Sequence, residues 1–225
     1  MQRVRAASRF PRPRPEITMS DVIPAAEQRV DFRIIRELVE PGTRILDVGC
    51  GDGLLMSLLR RTLGVRASGI ELSQTGVNDA VARGLSVIQG DADTDLDAYT
   101  DKSFDYVILS QSLQAMRDPH KVLENMLRIG ERGIVSFPNF AYYRMRLQLL
   151  TTGKMPKTDL LPEPWWRTSN IHFCTIRDFV ELCDEMGVTV EAQIALNSSG
   201  RRIPLNAPWW FWNLFGEQAV FLLRR

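Results

Sequence analysis

Gly49, Gly51 and Gly53 stand at alternate positions in Leu46-Asp47-Val48-Gly49-Cys50-Gly51-Asp52-Gly53, between the runs Arg44-Ile45-Leu46 and Leu54-Leu55-Met56-Ser57-Leu58-Leu59. This reads as strand, tight turn, helix. Glycine is needed where the backbone turns with positive φ and where a ligand must reach the main chain. A dinucleotide fingerprint sets its third glycine one place later, where this chain has Leu54. The cradle is therefore tighter than one built for a pyrophosphate at a helix N-terminus. The chemistry implied is the binding of a nucleoside cofactor without a phosphate, with Asp47 at the strand end to meet an ammonium group. Asp52 suits the positive end of the helix that follows.

Three further strand ends carry groups that match. Ala67-Ser68-Gly69-Ile70-Glu71 ends in a carboxylate that can accept both ribose hydroxyls, and Leu72 follows it. Leu85-Ser86-Val87-Ile88-Gln89 runs into Gly90-Asp91-Ala92-Asp93, where Asp91 can accept from an exocyclic amine and the Ala92 N–H can donate to a ring nitrogen. Phe104–Ser110 ends in Ser110-Gln111-Ser112, beside the amino-acid end of such a ligand. The expected cofactor is S-adenosylmethionine or S-adenosylhomocysteine. Its candidate contacts are Asp47, Gly49, Cys50, Gly51, Gly53, Glu71, Leu72, Asp91, Ala92 and Ser110. The set LDVGCGDG, GIELS, GDAD and FDYVILSQSLQ resembles the class I S-adenosylmethionine-dependent methyltransferase fold over residues 40–195.

To position these groups the chain needs alternating strands and helices. Apolar spacing predicts a helix over 26–39, with Val30, Ile34, Ile35 and Leu38 on one face, stopped by Pro41-Gly42. Strands follow at 43–48, 66–71, 86–89, 104–109, 132–137, 188–196 and 217–223, with helices at 53–62, 74–83, 119–128, 141–150 and 176–186. Repeated β-α-β units imply an α/β, Rossmann-like architecture: a mostly parallel seven-stranded sheet with helices on both faces. The resemblance makes the last strand antiparallel.

The 225 residues suffice for one domain, with hydrophobic and charged fractions of 44% and 24% that are ordinary for a globule. A net charge of +1 implies no nucleic-acid or membrane field. No run is long and apolar enough for a bilayer span or a secretory signal. Three cysteines fit a reducing, cytoplasmic setting, and two histidines form no metal set. Residues 1–18 are Arg- and Pro-rich, without apolar periodicity, and read as disordered. They are an upstream leader before Met19, a basic tail for an anionic partner, or a transit-like segment. Residues 19–225 form the domain.

Two segments interrupt the alternation, 138–170 and 200–216. They hold all five tryptophans, Trp165, Trp166, Trp209, Trp210 and Trp212. Tryptophan is enriched at interfaces, so these segments are either a substrate lid or protein-binding face, or a local mini-core. Candidate catalytic residues are few. His172, in Asn170-Ile171-His172-Phe173-Cys174-Thr175, is a possible base or a loop-orienting group; Tyr142 and Tyr143 line a pocket or pack. No nucleophile–base pair is identifiable.

The glycine loop, Ser110-Gln111-Ser112-Leu113-Gln114, Val135-Ser136-Phe137-Pro138-Asn139-Phe140, Thr151-Thr152-Gly153-Lys154-Met155-Pro156, Pro164-Trp165-Trp166 and the His172 segment together resemble the methionine biosynthesis protein MetW family. The match runs from about Met19 to the C-terminus. It implies a partner or activator of homoserine O-acyltransferase, docked through the tryptophan segments. A methyltransferase acting on a small molecule is the alternative. An open pocket beside the sulfonium would favour the enzyme; an apolar patch would favour the binding module.

Overall fold

The computed structural model describes residues 29–204 and 207–225. The Arg/Pro-rich segment and the proposed start at Met19 lie outside the described residues.

The elements in chain order are α1 (Val30–Leu38), β1 (Arg44–Val48), α2 (Leu54–Leu63), β2 (Arg66–Glu71), α3 (Gln74–Ala82), β3 (Ser86–Gln89), α4 (Ala92–Asp95), β4 (Phe104–Ser110), α5 (Pro119–Ile129), β5 (Gly130–Pro138), α6 (Tyr143–Thr152), α7 (Ile176–Glu185), β6 (Thr189–Leu196), α8 (Trp209–Phe215) and β7 (Gln218–Arg224). The sheet order is β3-β2-β1-β4-β5-β7-β6. β1 to β5 are parallel, and β7 runs antiparallel to both β5 and β6. The predicted seven-stranded sheet and its antiparallel last strand are both present. Predicted boundaries differ from the observed ones by a residue or two, except at the first helix, predicted from 26 and observed from Val30, with 26–28 outside the described residues.

Period-two alternation divides the core. Tyr106 and Ile108 of β4, with Ile134 of β5, face α1 and α2; Val107, Leu109 and Val135 face α5 and α7. Both faces of the central strands are buried, which is why they read as continuous apolar runs. Local chemistry fixes the helix starts. Pro119 opens α5 behind Asp118, whose carboxylate accepts from Lys121 N at 3.0 Å. Thr175 and Asp178 form a reciprocal capping box at α7.

Strand order reverses between β1 and β4, so their carboxyl ends splay and leave the crevice where ligands bind in such sheets. The glycine loop, Glu71, Asp91 and Ser110 all lie along this edge.

Two corrections concern the tryptophan segments. α8 is a helix where no element is predicted, because its run Trp-Trp-Phe-Trp-Asn-Leu-Phe has no polar face to give a period. Trp212 was expected on the interface but is buried, 2% exposed. Its Nε1 donates to the Pro204 carbonyl at 3.1 Å, and it packs in the α5/α7 core. The other four tryptophans are exposed. The segments are thus part mini-core and part surface.

Candidate functional site

The loop from β1 to α2 is tied to β2. Gly49 N and Cys50 N donate to Ile70 O at 2.8 and 3.2 Å, and Gly51 N donates to Glu71 Oε2 at 2.8 Å. Gly51 and Gly53 have φ of +55° and +76°, a region costly for residues with a Cβ. They serve different ends. A Cβ at Gly53 would come within 2.3 Å of Leu85 Cδ1 and 3.2 Å of Ala80 Cβ, so this glycine lets α2 start against its neighbours. A Cβ at Gly51 would meet nothing within 4 Å: it points into open space over the loop. Asp52 accepts from Leu54 N and pairs with Arg83.

Glu71 is already oriented. Its Oε1 accepts from Ser73 N and its Oε2 from Gly51 N, both at 2.8 Å. Each carboxylate oxygen has two acceptor sites, so one on each remains for a hydroxyl. Leu72 beside it is exposed. Asp91 caps α4 through Asp93 N and pairs with Arg117 at 3.0 Å, and Ala92 is buried at the helix start. Arg117 is exposed, so that ion pair is weak and displaceable.

Asp47 lies in β1 between Gly69 and Ile108, 2% exposed. Burial pushes its carboxyl up to about 7; Arg29 opposes that rise, while Glu71 and Asp31 add to it. A buried acid shifted in this way at the edge of a crevice is a candidate functional group.

Motif spacing does not single out Arg29 and Asp31, yet both reach this edge. Asp31 is buried under the strand ends and accepts from Arg29 Nε at 3.2 Å, Arg29 Nη2 at 2.6 Å, Ser110 Oγ at 2.9 Å and Ser136 Oγ at 3.4 Å. Arg29 Nη2 also donates to Ser110 Oγ at 3.1 Å, and its guanidinium stacks 3.9 Å over the Phe32 ring. A sequence signal existed. Asp31 shares the apolar stripe of α1 with Ile34, Ile35 and Leu38, at spacings of three, four and seven.

A family model described as "Methionine biosynthesis protein MetW" matches residues 29–223. The chain belongs to the MetW family. The bifunctional methionine biosynthesis protein MetXA/MetW of Rhodopirellula baltica is 36% identical over 207 residues, covering 87% of this chain and 33% of that protein. The ubiquinone biosynthesis O-methyltransferase of Xanthomonas oryzae is 36% identical over 110 residues, 47% of this chain and 45% of that one. The chain thus spans a third to about half the length of these relatives. Among solved structures, an S-adenosylmethionine-dependent methyltransferase from Mesorhizobium loti aligns with a TM-score of 0.64 at 16% identity, covering 89% of this chain and all of that one. The methyltransferase in the Haloferax volcanii complex with the activator Trm112 aligns with a TM-score of 0.63 at 18% identity, covering 91% and 93%. These likenesses establish the class I methyltransferase fold.

Few side chains of this MetW-family chain are set up for acid–base or nucleophilic work. Burial pushes the Cys50 thiol far up and that of Cys183 up to about 12, so neither is a thiolate near neutrality. Tyr142 is buried, burial raises its phenol, and its ring lies edge-on to that of Tyr143 with centroids 4.8 Å apart. His172 is exposed; its Nε2 lies 3.2 Å from Arg117 O while its backbone N–H donates to Gln114 O. Those contacts tie the loop before α7 to the segment after β4. Among the described residues, no hydrogen bond joins Tyr142 or His172 to Asp47, Glu71 or Ser110.

The MetW tryptophan segments form two clefts. One, about 540 Å³, is lined by Arg146, Arg177, Trp209 and Trp210 among others. The other, about 580 Å³, is lined by Phe140, Lys154, Lys157, Trp165, Trp166 and Phe173 among others. No residue of the glycine loop, and none of Glu71, Asp91 or Ser110, lines either cleft. Of fourteen large apolar side chains exposed among the described residues, eleven lie in 141–175 and 209–215. Such segregation makes a patch rather than the usual scatter.

Proposed function

We propose that this chain binds S-adenosylmethionine at the β1/β4 crevice and acts in methionine biosynthesis as a partner of homoserine O-acyltransferase. In this reading Asp47 takes the ammonium and Arg29, braced by Asp31, takes the carboxylate. Glu71 accepts the ribose hydroxyls, while Asp91 and the Ala92 N–H meet the adenine edge. What supports this reading is a buried acid at the strand end, acceptor sites left over on Glu71 and open space at Gly51. When bound, the cofactor supplies a methyl sulfonium. In the partner role it reports end-product level through unequal affinity for free and partnered forms.

The observation that carries the partner reading is the separation of the two apolar clefts from the cofactor edge. An acceptor pocket would have to share a wall with the sulfonium site. The fused relative adds support, since joining MetXA and MetW in one chain raises their effective concentration for each other. The test is the rate of homoserine acylation by the same organism's acyltransferase, with and without this chain and with and without S-adenosylmethionine. A large increase is expected. No change under any condition rejects the partner role. The O-methyltransferase relatives favour the second reading, methyl transfer to a small molecule. Release of S-adenosylhomocysteine upon incubation with candidate acceptors would establish it.

Three outcomes are expected. Glu71→Ala weakens S-adenosylmethionine binding by about 1–3 kcal/mol, since two hydroxyls lose a charged acceptor; unchanged affinity in titration calorimetry rejects the site.

Binding also depends on pH. With Asp47 at about 7, the carboxylate that an ammonium prefers is the majority form at pH 8 and the minority at pH 6. Affinity therefore falls about tenfold across that range, and Asp47→Asn binds weakly with a flat profile. The empty protein has the opposite sign. Its Asp47 holds a proton that the unfolded chain, at 3.8, releases, so this group's stabilisation is complete below pH 4 and lost as pH rises through about 7.

Trp210→Ala weakens the acyltransferase complex by more than about 2 kcal/mol, the cost of truncating an anchoring indole. A neutral result in a binding titration moves the interface elsewhere.

A further inference from the structure

The helix α6 turns its apolar side chains the wrong way for a free-standing protein. Only Met145 of its ten residues is buried, while Leu147, Leu149 and Leu150 are exposed, Leu150 by 84%. A surface helix normally turns its apolar stripe to the core. The two clefts border this helix, one through Arg146 and the other through Gly153–Lys157 just past its end. Ring contacts tie the patch together: Tyr143 of α6 lies 5.8 Å from Phe215 of α8, and Phe140 stacks on Phe173 at 4.6 Å.

The clefts repeat one chemistry. Each carries two indoles, two cations and one acid, Trp209 and Trp210 with Arg146, Arg177 and Glu181, then Trp165 and Trp166 with Lys154, Lys157 and Glu163, so each keeps a surplus of one positive charge. Residues 141–175 hold five Lys and Arg against two acids, in a chain whose net charge is only +1. Arg177 is paired with Glu181 at 2.8 Å. Lys154 and Lys157 have no ion-pair partner among the described residues. Covering an unpaired ammonium with apolar surface carries a desolvation penalty that only an opposite charge offsets. A second copy apposed through the same patch would bring two surpluses of positive charge together. The occupant that removes both problems is apolar at its centre and acidic at its edge.

We infer that α6 and the two indole clefts dock an apolar surface rimmed with carboxylates, carried by the homoserine O-acyltransferase; this rests on the partner reading above. Leu147 and Leu150 supply the central contact, and each cleft takes one apolar side chain. Lys154 and Lys157 pair with Asp or Glu of the acyltransferase, which also steers the encounter.

The test titrates the purified acyltransferase with the full chain at about 50 and about 300 mM salt, using wild type, Lys154→Glu/Lys157→Glu and Lys154→Arg/Lys157→Arg. Wild-type affinity is expected to drop severalfold at the higher salt. Charge reversal weakens binding at least tenfold and removes most of the salt dependence, while the arginine variant binds within about twofold of wild type. S-adenosylmethionine affinity, measured for each variant, is the control for folding. Wild-type binding that ignores both salt and charge reversal overturns this docking face and leaves the partner reading standing. Absence of any wild-type binding overturns both. Concentration-dependent dimerisation that Leu150→Ser abolishes assigns the face to a second copy and overturns the acyltransferase as its occupant.

Discussion

Asn139→Ala is expected to lower the unfolding free energy by about 3–5 kcal/mol. Asn139 follows β5 directly and is fully buried. Its Nδ2 donates to Asn213 O at 2.9 Å and Gly216 O at 2.7 Å. Its Oδ1 accepts from Ala141 N at 3.1 Å and Ile176 N at 3.2 Å. One amide therefore closes the start of α7, the turn into α6 and the end of α8. Removing it strands four main-chain groups, each worth about 1–3 kcal/mol if left unpaired in the interior, with less than full additivity. For a domain of this size the expected fall in Tm is about 10 °C or more. Because all four partners lie in or next to the segments that carry the aromatic face, acyltransferase binding should fail before cofactor binding does. Chemical denaturation checks the first claim. A loss below about 1 kcal/mol would mean that water or a local shift satisfies the stranded groups.

Gly51→Val is expected to abolish measurable S-adenosylmethionine binding while leaving the protein folded. With φ at +55° and a β-branched side chain, strain costs about 1–2 kcal/mol. That is tolerable in a domain of ordinary stability. Beyond its two chain neighbours, no atom lies within 4 Å of an added Cβ, so the side chain starts out into open space in the empty protein. The side chain would instead fill the open space over the loop, next to the N–H that Glu71 holds. Binding should fall by more than about 100-fold, or ~3 kcal/mol, well beyond the strain term. Calorimetric titration beside a melting curve separates the two effects. Retained affinity in a folded variant would take the glycine loop out of the site. Gly53→Val should instead unfold the region, because Leu85 and Ala80 already occupy its space.

The sheet was legible because its signals are local. Val107 and Leu109 alternate with Tyr106 and Ile108, and only a strand buried on both faces puts apolar residues at all four. The glycine spacing and the strand-end acids mark the crevice because backbone sterics and strand order act over short stretches of chain. The α6 helix and the His172 segment were legible in place, though not in orientation.

Other features depend on contacts between residues far apart in sequence. Trp209, Trp210 and Trp212 share one run of chain, yet Trp212 is buried while Trp210 is exposed. Which indole turns inward depends on where Pro204 O and the α7 side chains lie. The place of Asp31 on the apolar stripe of α1 marks it as inward-facing, but only β4 and β5 bring its partners Ser110 and Ser136 to it, from 79 and 105 residues away. The sequence by itself determined the α/β order, the crevice and the family resemblance, since periodicity and turn chemistry are written residue by residue. Tertiary structure alone decided the protonation of Asp47, the bracing of Arg29, the Asn139 junction and the outward leucines of α6. Each of these depends on burial and on partners that only the folded chain brings together.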